Sequence, residues 1–132
     1  MIAKLRLILA ELNTPSAQRD QWFLWCAAQM SHALVGAVLA GGLLFALPSL
    51  WAFGVAAIGY ALAKELPDFF RSPSWANARD CVQDALFVSA GAALAVAIAG
   101  AIKWLFIVAV VAAAVGLWWG ASDRLARNDE TD

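Results

Sequence analysis

Residues 85–121 read ALFVSAGAALAVAIAGAIKWLFIVAVVAAAVGLWWGA, with Lys103 as the single charge in the run. One α-helix of that length would measure about 55 Å at roughly 1.5 Å per residue, whereas a hydrocarbon core is about 30 Å thick. Two spans divided near Lys103-Trp104 fit the run. One long tilted C-terminal helix, giving three spans in all, is the second choice. Upstream, the predominantly apolar residues 22–63 hold two further spans. The expected fold is therefore all-α: an integral membrane bundle of four transmembrane helices, arranged as two antiparallel hairpins.

Composition agrees with that reading. Of 132 residues, 63% are hydrophobic and 14% charged, against about 45–50% and 25% in soluble domains. The length suits one domain. A net charge of −1 gives no basic surface for nucleic acid, and the lipid bilayer is the expected partner. Cys26 and Cys81 form no CxxC or other metal-ligand spacing, and each reads as a small buried hydrophobe. Phe23-Leu24-Trp25 stand before Cys26 where a lipid-attachment site would need small residues, so no lipid anchor is expected there. No secretory signal is expected either, because Lys4, Arg6 and Glu11 interrupt the apolar positions of the first twelve residues.

Ile2, Leu5, Leu9 and Leu12 recur at helical spacing, so residues 1–13 read as an amphipathic helix on the membrane surface. Asn13-Thr14-Pro15-Ser16 signals a turn, with Ser16 able to cap the next helix. Residues 14–121 then form the four-span membrane domain. The first span lies between Trp22 and Leu47, and Pro48-Ser49 makes the turn. The second runs over about residues 50–66, where Pro67 is expected to end it. Residues 67–80 form a polar connection around Arg71-Ser72-Pro73-Ser74. Residues 81–102 and 104–120 are the third and fourth spans, with Asp80 as N-cap of the third and Gln83 completing a capping box. Residues 122–132 are a charged cytoplasmic tail, expected to fray.

Two patterns orient the bundle. Trp22, Trp25, Trp51, Trp104, Trp118 and Trp119 fall where membrane interfaces should be. Lys4, Arg6, Arg19, Lys64, Arg71, Arg79, Arg124 and Arg127 gather on the termini and the central connection, leaving Lys103 alone at the other side. The positive-inside rule then places both termini in the cytoplasm, with the protein in the inner (cytoplasmic) membrane. Small residues recur four apart at Ala33, Ala37 and Gly41, and at Ala93, Ala97 and Ala101. Such stripes let membrane helices approach closely, within one chain or in a homo-oligomer.

The ionisable residues near the spans carry the functional argument. His32 lies sixteen residues before Pro48 and Lys64 sixteen after it. Equal distances from a turn mean equal depth in an antiparallel pair, so His32 should stand level with Lys64 and Glu65. Asp80 and Asp84, four apart, share one helical face. Ionisable groups at such depth are costly and generally face the bundle interior. His32, Glu65, Asp80 and Asp84 are candidate ligands for a divalent metal that would activate water. Glu65, Asp68 and Asp84 are candidate catalytic carboxylates. Lys64 and Arg71 would balance charge or bind an anionic head group. Against these readings stands a structural polar network locking the helices together. The chain has no glycine-rich phosphate loop and no HExxH motif.

Read in order, His32, Lys64-Glu65-Leu66-x-Asp68, Arg71, Trp75, Asp80, Asp84 and the small residues around Gly91 resemble the VanZ-like and YfiM-like group of small polytopic membrane proteins, the YfiM-like branch most. The match covers about residues 30–92. The resemblance implies a helical membrane fold and a role in the bacterial cell envelope. It also implies metal-dependent hydrolase activity, with His32, Glu65, Asp68, Asp80 and Asp84 as site residues.

The function expected first is hydrolysis of a lipid-linked envelope substrate at the His/Glu/Asp cluster, with a divalent metal as cofactor. The alternative is a non-enzymatic, self-assembling or partner-binding membrane protein, such as a phage lysis (holin-type) or host-exclusion protein. A proton-relaying transporter ranks third, because the two hairpins show no inverted repeat.

Overall fold

The computed structural model describes residues 22–129. The expected interfacial helix over residues 1–13 and the Ser16 cap lie outside these residues. In chain order the helices are α1 (Trp22–Leu43), α2 (Ser49–Tyr60), a π-helical turn (Ala61–Glu65), α3 (Leu66–Arg71), α4 (Trp75–Ala99) and α5 (Lys103–Asp129). Three of them are long and apolar enough to cross a membrane: Trp22–Leu43, Trp75–Ala99 and Lys103–Ala126. Residues 49–71 are helical throughout, but the π turn divides them and no single helix there reaches spanning length.

Large side chains point outward and small ones inward. Leu34, Val38, Leu50, Ile58, Leu86 and Ile98 are all exposed, while the core is built around Ala40, Ala56, Ala92 and Val96. A soluble bundle would do the reverse. An apolar exterior around a small-residue core is the arrangement of a membrane protein, where lipid solvates the outer face and van der Waals contact holds the helices together. Trp22, Trp51, Trp75, Trp104, Trp118 and Trp119 are exposed, whereas Trp25 is 1% exposed and belongs to the core instead of an interface.

α4 is the central helix and touches every other described element. Its closest neighbour is α1. A Cβ on Gly36 would stand 1.9 Å from the Val88 carbonyl oxygen, and one on Gly91 would stand 1.7 Å from that of Ala33. The backbones therefore meet without intervening side chains. The small-residue pattern acts within one chain here, but through Gly36 and Gly91; a Cβ on Gly41 would meet nothing within 4 Å.

Several boundaries differ from the sequence expectation. Pro67 does not end the second helix, which continues to Arg71. Proline in a helix interior removes one N–H and drives its ring toward the carbonyl four residues back. The widened π turn just before it relieves both demands, with the Leu66 N–H bonding to the Ala61 oxygen five residues back. Only residues 72–74 remain non-helical in the central connection. α4 starts at Trp75, and its cap is Ser74, which accepts from the Asn77 N–H at 3.1 Å. Asp80 lies inside the helix and caps nothing, because a serine with a free backbone turn stands earlier in the chain.

The long apolar run divides at residues 100–102, so one continuous C-terminal helix does not form. The Ala101 N–H bonds to the Ile98 oxygen and the Ile102 N–H to the Ala97 oxygen, a Schellman ending. This motif needs a left-handed residue, and Ala101 takes it, at φ 51°, one position after Gly100. α5 continues helical to Asp129, past the expected end of the membrane domain at Ala121. Arg124 is 4% exposed, lies 4.1 Å above the Trp25 ring and donates to the Gly120 oxygen at 3.0 Å. Arg79 of α4 pairs with Asp123 at 2.7 Å. The Arg79–Asp123 pair ties the start of α4 to the end of α5, and Arg124 ties that end to α1.

Gly91→Ala is expected to lower stability in detergent by about 1–3 kcal/mol, because α1 and α4 must separate. Gly41→Ala, read in the same unfolding titration, should leave it unchanged. Ala101→Gly is expected to raise stability by about 1 kcal/mol, since only glycine adopts that backbone conformation freely; an unchanged unfolding midpoint would contradict the strain.

Candidate metal centre

Each part of the site is set by a different helix. On α1, Gln29 and His32 are three apart and lie on the same face as Trp25, Gly36 and Ala40, which turns toward α4. On α4, Asp84 lies one turn before Val88, the residue that Gly36 approaches. Close backbone contacts of Gly36 with Val88 and of Gly91 with Ala33 thus draw His32 and Asp84 to the same level. Glu65 comes from the π turn and is 5% exposed.

One ligand atom from each of His32, Glu65 and Asp84 lies within 4.8 Å of the other two. Asp84 is 5% exposed, and its Oδ1 accepts from Gln29 Nε2 at 2.8 Å. His32 Nδ1 stands 3.5 Å from that same oxygen, too far for a strong hydrogen bond. The Tyr60 hydroxyl and the Cys81 thiol lie near the Glu65 carboxylate, and the Tyr60 and His32 rings meet edge-on at 6.1 Å. His32 Nδ1, Glu65 Oε1 and Gln29 Oε1 are buried without a hydrogen-bond partner in the protein. An unpaired buried polar atom costs about 1–3 kcal/mol; His32 Nδ1 and Glu65 Oε1 have Asp84 and Lys64 within 4.0 Å but no hydrogen bond, and Gln29 Oε1 has none either.

The other candidate residues are set apart. Asp68 accepts from Lys64 and, at 2.8 Å, from Arg71. Its side chain is 29% exposed and does not join the three-residue group. Lys64 also comes within 4.0 Å of Glu65, so its charge lies between the group and the surface pair. Arg71 is largely exposed. Asp80 is half-buried, one turn before Asp84, and lies outside the group. Asn77 Nδ2 donates to the Asp68 and Ser72 carbonyls at 3.1 and 3.0 Å, which fastens the short connection beside them.

Three residues near the site, Gln29, Cys81 and Tyr60, are absent from the candidates that the sequence offers. Gln29 is one turn before His32 in an otherwise apolar helix, and its spacing alone could have marked it. Cys81, half-buried, was read as a plain hydrophobe, yet its i,i+3 relation to Asp84 puts it on the same side of α4. Tyr60 could not have been found this way. Five residues of regular α-helix turn through about 500°, which sets Tyr60 and Glu65 on different faces; the π turn brings them together.

Imidazole and carboxylate donors together suit zinc and other first-row divalent ions. Three protein ligands leave a coordination position for water, whose pKa the ion would lower, or for a substrate oxygen, which it would polarise. A divalent cation would also offset the charge of two carboxylates gathered in a low-dielectric interior.

The Lys64 hydrogen bond, aided by Arg71, holds the Asp68 carboxyl below the usual carboxylate range. A lowered pKa stabilises the fold fully above the unfolded value of about 3.9 and loses its contribution as pH falls through the folded value. Asp68→Asn is therefore expected to lower the thermal midpoint slightly at pH 7, with the gap closing as pH falls below about 4. A constant gap across that range would exclude the pairing as its cause. No family model, no curated protein and no solved structure matches this chain.

Proposed function

We propose that the chain is a four-span protein of the inner membrane with both termini cytoplasmic, and that it hydrolyses a lipid-linked envelope substrate with a divalent metal at His32, Glu65 and Asp84. The helical path over residues 49–66 supplies the remaining span, so that the chain crosses as two antiparallel pairs. The orientation is supported by charge. Arg71, Arg79 and Arg124 lie toward the ends of helices whose far connections, residues 44–48 and 100–102, carry no charge.

The observation that carries the hydrolase reading is the buried three-donor group with its unpaired atoms. Ionisable residues inside a span are expensive and mark function by default. Their depth suits a substrate held in lipid, and the described residues include no soluble domain to take one from water. In this reading His32, Glu65 and Asp84 would hold the ion, which would lower the pKa of a bound water, and the carboxylate of Glu65 or Asp84 would accept that water's proton. The VanZ-like and YfiM-like resemblance of the motif order runs in the same direction.

A second reading has an observation of its own. Gln29 bonds to Asp84 at 2.8 Å and His32 lies 3.5 Å from the same carboxylate oxygen, so the same residues can serve as a polar lock in a partner-binding or self-assembling bundle. Metal analysis separates the two. Gently purified protein is expected to carry a divalent transition metal at near-stoichiometric level, lost in both His32→Ala and Asp84→Asn. Metal-free protein, with both variants merely less stable, would replace the hydrolase by the polar lock.

A further inference from the structure

The metal reading leaves half of the polar motif over residues 64–71 without a role. Lys64 and Arg71 close on a single carboxylate, one on each oxygen of Asp68: Lys64 on Oδ2 and Arg71 on Oδ1. Two cations against one carboxylate leave one positive charge. Asp68 takes one of the three ammonium donors of Lys64. Glu65 Oε1, at 4.0 Å, is too far away to take another. The Arg71 side chain is 79% exposed, so most of its guanidinium donors stand open. The backbone beneath the pair is pinned, because Asn77 donates to the Asp68 and Ser72 carbonyls. The two cations also differ in depth. Trp75, largely exposed, marks the interface just beyond Arg71 in the chain. Lys64 lies seven residues before Arg71, about 10 Å further along the helix at roughly 1.5 Å per residue, which spans a head-group layer.

We propose that Lys64 and Arg71 bind the phosphate of a lipid, and that this phosphate is the head group of the substrate. The site deepens the hydrolase reading above and, as a substrate site, rests on it. Basic residues at the cytoplasmic end of a span are the arrangement that holds lipid phosphate heads. Phosphate fits these donors better than a second carboxylate would. Its several acceptor oxygens reach both cations while Asp68 stays in place between them. Lys64 sets where the head group stands, because its Nζ is 4.0 Å from Glu65 Oε1, an atom of the buried donor group that has no hydrogen-bond partner. A phosphate on Lys64 therefore lies beside His32, Glu65 and Asp84, at the reacting end of the substrate. Its hydrocarbon chain then runs along the apolar outer face, where Leu62 and Leu66 are exposed.

Lipid binding tests the site without any need for turnover. Full-length protein in neutral detergent, stripped with chelator, is titrated with phosphatidic acid, with diacylglycerol of the same chains and with the matching fatty acid, and read by native mass spectrometry. Phosphatidic acid is expected to bind at least about tenfold more tightly than either control. Lys64→Met should bring it down to the level of diacylglycerol, whereas Lys64→Arg should keep most of the preference. Circular dichroism and the thermal midpoint check that both variants are folded. Equal binding of the three lipids, or an undiminished preference in Lys64→Met, would overturn the phosphate site. Fatty acid bound as tightly as phosphatidic acid would overturn phosphate as the group recognised. Inorganic phosphate bound as tightly as phosphatidic acid would overturn the lipid as its source. Metal content of the unstripped protein separates the two readings. Bound metal with no lipid preference would overturn the head-group site and leave the hydrolase standing. A phosphate preference lost in Lys64→Met, in protein that takes up no metal, would keep the binding site and overturn its role in hydrolysis.

Discussion

The contact between the backbones of α1 and α4 governs this molecule. Glycine at 36 and at 91 leaves room for carbonyl oxygens where any Cβ would collide, and two helices that close cannot slide or rotate without loss of contact. The level of every residue on one helix is thereby set against the other. His32 follows from Ala33, the residue that Gly91 meets, and Asp84 from Val88, the residue that Gly36 meets. In lipid no hydrophobic force draws helices together, so such shape-matched contact between small residues does the work that burial does in water. It explains why alanine forms the core while leucine, isoleucine and tryptophan face outward.

The π turn is the second constraint, and it converts an awkward sequence into a site. Proline at 67 is incompatible with an unbroken α-helix, yet the chain stays helical through it because the preceding turn widens by one residue. That extra residue shifts the phase of everything before it relative to everything after. Glu65 consequently turns inward beside Tyr60, while Asp68, three residues on, turns out toward Lys64 and Arg71. The KExxD motif is thus split in two: its glutamate belongs to the buried group and its lysine and aspartate to a surface pair. The centre proposed for metal binding draws on one half only.

Much of this was legible beforehand. Hydropathy over residues 85–121 demanded membrane helices, since a backbone in lipid must satisfy its own hydrogen bonds. Counting from Pro48 put His32 level with Glu65, because helical rise is uniform over sixteen residues and a one-residue π insertion displaces that count little. Phase is less forgiving than depth. Asp80 reads as a cap by residue type, but Ser74 reached the position first. Trp25 reads as an interfacial tryptophan, but Gly120 opens a slot for its ring and Arg124 covers it.

The amino-acid sequence by itself determined the all-helical membrane class, the segregation of positive charge and the depth at which the ionisable residues lie, all of which follow from local hydropathy and a constant rise per residue. Only the tertiary structure decided which of those residues meet. It selected His32, Glu65 and Asp84 from a longer list, brought in Gln29, Tyr60 and Cys81, and left Asp68 and Asp80 outside. The physical reason is that facing is set by the rotation of each helix about its axis. That rotation depends on where two glycines allow contact and where one proline forces a wider turn.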